Sequence, residues 1–347
     1  MRKSGLILLV LLLSLSLVLT GCGGTKKEEP KAETPKVEAP KEEVKPVKLI
    51  AAHVTPEEGS YQVGMLKFKE VVEKESNGSI TVEIHPNGQL GGNEDELVQK
   101  MATGTVDVIV ASPGFMTQTV KEIDLLALPY LFASYDHWKS VLDGEVGQKM
   151  AGLVEEKTDF KFLGWWKCGV RVYFGNKPVN TPADLKDVKI RIQVSPVTSE
   201  VWSTFGAQPS SVAFNELYQA LQNKVVDAAE NDFANILQMK FHEAAPNISL
   251  TNHDIATRLL LMSDKKYQSL SPEQKAAVDK AVVAATEAER VADNDLAGVA
   301  LEQLIAEGAI VNEVDVAPFI EMTQPIRDKV AKSLGLEDIL KKIAEMK

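Results

Sequence analysis

The chain has 347 residues, a formal charge of −11 at pH 7 and two cysteines. The acidic balance and the lack of any nucleic-acid recognition motif argue against RNA or DNA as a partner. Two thiols cannot build a disulfide framework, and the length beyond the N-terminal segment predicts two lobes rather than one core.

Met1 to Ser4 opens as a short basic region, and Leu6 to Leu19 is an apolar run interrupted only by serines. That run is shorter than the ~20 residues of a membrane span and matches a secretory signal. Leu19-Thr20-Gly21-Cys22 looks like a bacterial lipobox, which predicts removal of residues 1–21 and a lipid on Cys22. Losing Arg2 and Lys3 with that segment moves the formal charge from −11 to −13. Cys168 is then the only other thiol and reads as a small packing residue. Residues 22–46 form the anchor and a tether. Residues 23–46 carry six lysines, six glutamates and four prolines, with four apolar side chains. Such a stretch cannot bury enough surface to offset its ordering entropy. Held extended by proline at ~3.1 Å per residue, it reaches roughly 70 Å.

From Lys48 onward the pattern is α/β. KLIAAHV reads as a first strand, and SITVEIHP places Ile80, Val82 and Ile84 on one face of a second. ELVQKMATGTVDVIVAS from Glu96 is echoed 120 residues later, without a gap, by ELYQALQNKVVDAAEND from Glu216. Each copy predicts an amphipathic helix, a tight turn and a buried strand. Open α/β sheets bind ligands outside the carboxyl ends of their strands, so Ser112 and Phe115 in one copy and Glu230 and Asn231 in the other are candidates. FKFLGWW, GVRVYFG, KIRIQV, ATRLLLMS and AIVNEV read as further short strands. Thr181-Pro182 and Ser271-Pro272 are helix starts, a cap followed by proline at the first helical position. From Ser271 to Glu307 no proline follows the start, and Gly308 supplies a stop. At ~1.5 Å per residue that helix is about 55 Å long, longer than one lobe.

Arg171 and Arg191 each sit in an apolar strand pattern, where a charge must stay solvated or find an anion. Two readings of each are open: a fork for a ligand carboxylate, or a structural salt bridge, for which Glu230 is a candidate partner to Arg171. Asn231 offers a donor and an acceptor to a ligand, or is a turn residue after a strand. Of Trp165 and Trp166, one reads as core and the other as a pocket wall, with Trp166 taken as the wall. No zinc, nucleotide or hydrolase motif is present, so no metal, cofactor or enzymatic activity is expected.

Four segments together resemble one family. They are the arginine before NKPVNTPADLK, the KIR arginine twenty residues on, FNELYQALQNKVVDAAEN, and FHEAAPNISLTNH. Over residues 48–320 the chain is similar to the extracytoplasmic solute receptors of TRAP (tripartite ATP-independent periplasmic) transporters. The resemblance implies a two-lobed periplasmic-binding-protein-like α/β fold with a cleft between the lobes and a long helix along both. Residues 47–168 plus 257–296 would form lobe I, and 169–256 plus 297–347 lobe II. It implies that Arg191 holds the ligand carboxylate, with Arg171, Asn231, His53 at the end of the first strand and His253 in LTNH as further contacts. A monomer would capture a small organic carboxylate by cleft closure and pass it to the membrane subunits of the transporter. It would do so outside the cytoplasm, lipid-anchored to the membrane. Family members for acidic sugars are polar after the VDVIVAS strand, whereas this chain has Ser112-Pro113-Gly114-Phe115. With Phe214, that favours a dicarboxylate, a keto acid or an aromatic acid. A sensory lipoprotein signalling to a membrane receptor is the alternative that the sequence leaves open.

Overall fold

A computed structural model describes residues 45–346; the signal segment, Cys22 and the tether up to Val44 lie outside the described residues. Nine strands form one sheet: β1 (Val47–Ala52), β2 (Ile80–His85), β3 (Val108–Ala111), β4 (Phe160–Gly175), β5 (Lys189–Ile192), β6 (Gln208–Ser211), β7 (Ala228–Asn231), β8 (Asn247–Ser263) and β9 (Ile310–Glu313). Their order is β2-β1-β3-β8-β4-β7-β5-β6, with β9 paired to the start of β8. At one end β1, β2 and β3 are parallel, and at the other β5, β6 and β7 are parallel. The antiparallel pair β4 and β8 runs the whole way between these ends.

Three short strands expected along this pair are therefore two long ones. FKFLGWW and GVRVYFG are one strand of 16 residues, and ATRLLLMS ends a strand of 17. The period-two pattern breaks because the register of β4 against β8 shifts between Lys167 and Val170. Gly169 sits in that shift with φ +61°, and a Cβ there would lie 2.4 Å from Asp232 Cβ. Only glycine fits the conformation and the space. Asn252, at φ 41°, interrupts β8 in the same zone.

The two echoed segments fold alike. Glu94–Ala102 is a helix leading to β3, and Leu217–Gln222 a helix leading to β7. In the first copy Asp107 N donates to Ile50 O of β1 at 2.8 Å, and Asp107 Oδ2 accepts from Ile50 N at 2.9 Å. In the second, Asp227 makes the same pair of contacts with Lys189 at the head of β5, at 2.7 and 3.1 Å. The shared aspartate thus docks each helix–strand unit onto its parallel neighbour, which sets the strand ends side by side.

The long helix forms as expected, over Pro272–Ala306, with Ser271 and Gln274 making a reciprocal capping box. Thr181-Pro182 starts only a 3-10 turn, Pro182–Leu185, closed by the Thr181–Asp184 box. Ala277, Ala281 and Ala285 are buried, so the long helix packs closely on the Ser60–Glu75 helix and on β4. Gly64 is needed at that crossing, since a Cβ would meet Trp166 Cη2 at 2.7 Å and Glu289 Cβ at 2.8 Å. Below the two helices lie Leu49, Phe68, Val82, Trp166 and Met262. Each large apolar side chain buried there contributes ~1.5–3 kcal/mol. A second cluster covers the opposite face and continues among β5, β7 and the helices around them.

Candidate ligand-binding site

The carboxyl ends of β3, β5 and β7 meet in the middle of the molecule, and two cavities lie beside them. The first, about 320 Å³ of empty space, is lined by Arg191, Asn231, Phe115, Phe214, Glu94 and Arg258 among others. The second, about 700 Å³ including its mouth, is bordered by Arg171, Glu230, His253 and Ser112. The expected site residues are thus divided between two spaces rather than gathered in one.

Arg191 is 2 % exposed, inside a strand whose neighbours Ile190 and Ile192 are also buried. Its Nε donates to Val212 O at 2.9 Å. Its two terminal nitrogens have no protein partner among the described residues, and no carboxylate lies within ion-pair distance. Burial without a paired anion pushes its pKa down to about 10. A preorganised fork with open donors therefore faces the first cavity.

Arg171 has the opposite environment. Its Nε pairs with Glu230 Oε2, Nη1 donates to Asn231 Oδ1 at 2.9 Å, and Nη2 donates to Glu230 O at 2.6 Å. Burial opposes the charge of both partners, yet the pair holds Glu230 down to about 2 and raises Arg171. His253 stands next to Glu230 Oε2 at 3.4 Å and bonds Thr251 Oγ1 through Nδ1 at 2.9 Å. Asn231 Oδ1 also accepts from Asp232 N at 3.0 Å, which leaves its Nδ2 as the group offered to the cavity. Arg171, Glu230 and His253 of this cluster border the second cavity and Asn231 the first, while Gln193 and Arg258 border both.

Two expected contacts lie outside both spaces. Trp166 is wholly buried, donates from Nε1 to Thr286 at 3.1 Å and tilts against Tyr61. The pocket wall expected there is corrected: the ring fills the core beneath Gly64. His53 is also wholly buried, bonded to Gln62 Oε1 at 2.8 Å and Thr55 Oγ1 at 3.1 Å. Desolvation lowers its pKa, so it is a neutral brace beneath the cavity rather than a lining group.

Sequence reasoning missed Arg258, which borders both cavities. Its Nε donates to Tyr61 Oη at 2.5 Å and Nη1 to Thr257 O at 2.8 Å. The signal was present, an arginine inside the apolar strand ATRLLLMS. Glu94 was missed as well. Its Oε2 accepts from Ser112 N and Oγ at 2.7 and 2.6 Å, and its Oε1 lies 4.0 Å from Arg258. Among the described residues no group of three or more histidines, cysteines or carboxylates is placed to hold a metal ion. No described helix is long and apolar enough to cross a membrane.

The family model for bacterial extracellular solute-binding proteins, family 7 (DctP), matches residues 51–333. The chain belongs to that family. A solute-binding protein of Sulfitobacter sp. (strain NAS-14.1) is 32 % identical over 297 residues, 85 % of this chain and 90 % of that one. Among solved structures, a TRAP periplasmic solute binding protein from Sulfurospirillum deleyianum with bound succinate is 30 % identical. It superposes with a TM-score of 0.82, covering 87 % of this chain and 100 % of that one. A counterpart from Sulfitobacter sp. NAS-14.1 with bound β-D-galacturonate gives 0.80 at 27 % identity, over 86 % and 98 % of the two chains. The protein is thus a TRAP-type extracytoplasmic solute-binding protein with the two-lobed α/β fold of these structures.

Proposed function

We propose that this solute-binding protein captures a small organic carboxylate in the first cavity and delivers it to the membrane subunits of a TRAP transporter. One observation carries the ligand class: a buried guanidinium, Arg191, whose terminal donors face the cavity with no protein acid beside them. A carboxylate leaving water needs a fixed pair of donors in exchange, and this fork supplies it. Asn231 contributes an amide donor, and Phe115 and Phe214 give the cavity apolar faces. The small volume and the two rings support a short, sparsely hydroxylated acid, and the succinate bound by the Sulfurospirillum relative is of that kind.

Capture would proceed by closure of one lobe on the other. The lobes are taken as residues 47–168 plus 257–296 and 169–256 plus 297–347, so the boundary falls at the register shift beside Gly169. Arg171 and Glu230 hold the strand ends that carry the site, as positioning residues. The protein works as a monomer without cofactor or catalytic step, tethered through a lipid on Cys22 after removal of residues 1–21. Titration calorimetry with a panel of short mono- and dicarboxylates tests the reading. Binding of one of them by the wild type, lost in Arg191→Ala and strongly weakened in Arg191→Lys, is the expected result. Equal binding by all three proteins would place the ligand elsewhere.

A further inference from the structure

The second cavity is not absorbed by carboxylate capture. Arg171 and Glu230 border it, and neither Arg191 nor Phe214 does. Its lining sets aromatic and aliphatic side chains beside polar ones, Gln193 and Thr198 among them, and several rings lock one another edge to face. Trp202 meets His253 at 5.3 Å and Phe205 at 5.8 Å between centroids, and Phe205 meets Phe319 at 5.3 Å. These residues come from three separate parts of the chain: the Pro196–Thr204 helix and the residue that caps it, β8, and the Ala317–Leu334 helix.

Of the two carboxyl groups that line the cavity, Glu230 and Asp254, one is unspent. The Asp254 carboxyl has no hydrogen bond and no ion pair among the described residues. Four charged or titratable groups stand around it, and each is engaged elsewhere. Arg171 is held by Glu230 and Asn231, Arg258 by Tyr61 and the Thr257 carbonyl, and His253 lies between Thr251 and Glu230. Asp254 is half-buried at the cavity, and the desolvation there pushes its pKa up to about 6, a shift that the neighbouring cations do not reverse. A carboxylate set among aromatic rings, and short of a cation, is the arrangement that recognises an ammonium group.

We propose that this cavity is a separate binding site for a small organic ammonium ion with an apolar body. The ammonium would donate to Asp254, while the body packs on Trp202, Phe205 and Phe319. An anion would meet an unpaired carboxyl. The site stands independently of the Arg191 reading, since it shares none of the donors assigned to the carboxylate.

Benzylammonium is a suitable probe, with benzyl alcohol as its uncharged counterpart, each titrated into the full chain at pH 7.5. The wild type should bind benzylammonium saturably, at least roughly tenfold more tightly than the alcohol. Asp254→Asn should lose that preference while keeping its carboxylate affinity, which also shows that the variant is folded. Arg191→Ala should bind benzylammonium as the wild type does. The proposal fails if the wild type shows no saturable binding up to millimolar amine, so that the cavity holds solvent only. It fails equally if the alcohol binds as well as the amine, or if Asp254→Asn leaves amine binding unchanged.

Discussion

Replacing Arg191 by methionine separates a ligand-binding arginine from a structural one, because the two predict opposite changes in the empty protein. Methionine keeps the length and apolar stem but removes the charge. In the folded chain burial pushes the guanidinium pKa down from the ordinary arginine value to about 10, so at pH 7 that burial opposes folding. At 1.36 kcal/mol per pKa unit that cost is roughly 3 kcal/mol. No protein carboxylate is left behind when Arg191 goes, so the ligand-free variant should melt at or above the wild-type temperature. Arg171→Met differs, because it strands the buried Glu230 carboxylate and should destabilise by ~3–5 kcal/mol. In a domain of this size that lowers Tm by roughly 6–20 °C. Binding divides the other way. Arg191→Met should lose ~2–5 kcal/mol of affinity for the bound acid, a factor of about 30 to several thousand. Calorimetric melting of both ligand-free variants, with titration of the acid, gives all four quantities. A drop in Tm for Arg191→Met as large as that for Arg171→Met, or undiminished binding, would refute the reasoning.

Asp254→Asn should stabilise the ligand-free protein at pH 7.5. An acid whose folded pKa of about 6 lies above its ordinary 3.8 opposes folding when ionised, by up to about 3 kcal/mol before allowance for solvent access. Wild-type stability falls as pH rises from about 4 to 6 on this account, so the gain should shrink to nothing near pH 4; a pH-independent gain in urea melts would contradict it. Gly169→Ala should cost at least ~1–3 kcal/mol, since its φ is positive and the added carbon would sit 2.4 Å from Asp232 Cβ. An unchanged urea midpoint would show that the strand junction relaxes freely. Cys22→Ala should release the protein from the membrane fraction or leave it unprocessed. Recovery of that variant with membranes at the processed size would exclude the lipid anchor.

Much of the fold was legible because it is written in local patterns. Ser271, Pro272 and Gln274 mark the start of the long helix with a cap, and Gly308 marks its end. The echo between Glu96 and Glu216 marks two equivalent units, and its shared aspartates, Asp107 and Asp227, make the same contacts. The continuity of β4 and β8 was not legible, for a physical reason. A strand that crosses from one half of the sheet to the other changes which face it buries. The register shift and Gly169 that accomplish the change look in sequence like an end and a new beginning.

The site was legible as residue types but not as partners. Arg171, Arg191 and Arg258 carry one local signal, a guanidinium inside an apolar strand, and they have three different environments. Arg171 meets an acid and an amide contributed by β7, Arg258 meets a phenol from the Ser60–Glu75 helix and a carbonyl, and Arg191 meets one carbonyl, that of Val212. Nothing within several residues of any of them separates these outcomes, because each partner comes from a different strand or helix. On the proposed reading the distinction is nevertheless the functional one. An arginine that already has its anion keeps its pKa high and steadies the strand ends, whereas one left without an anion is driven down and gains most from an arriving carboxylate. On the proposed reading, a buried charge without a partner is therefore the feature by which this fold separates the residue that would bind from the residues that would hold it in place.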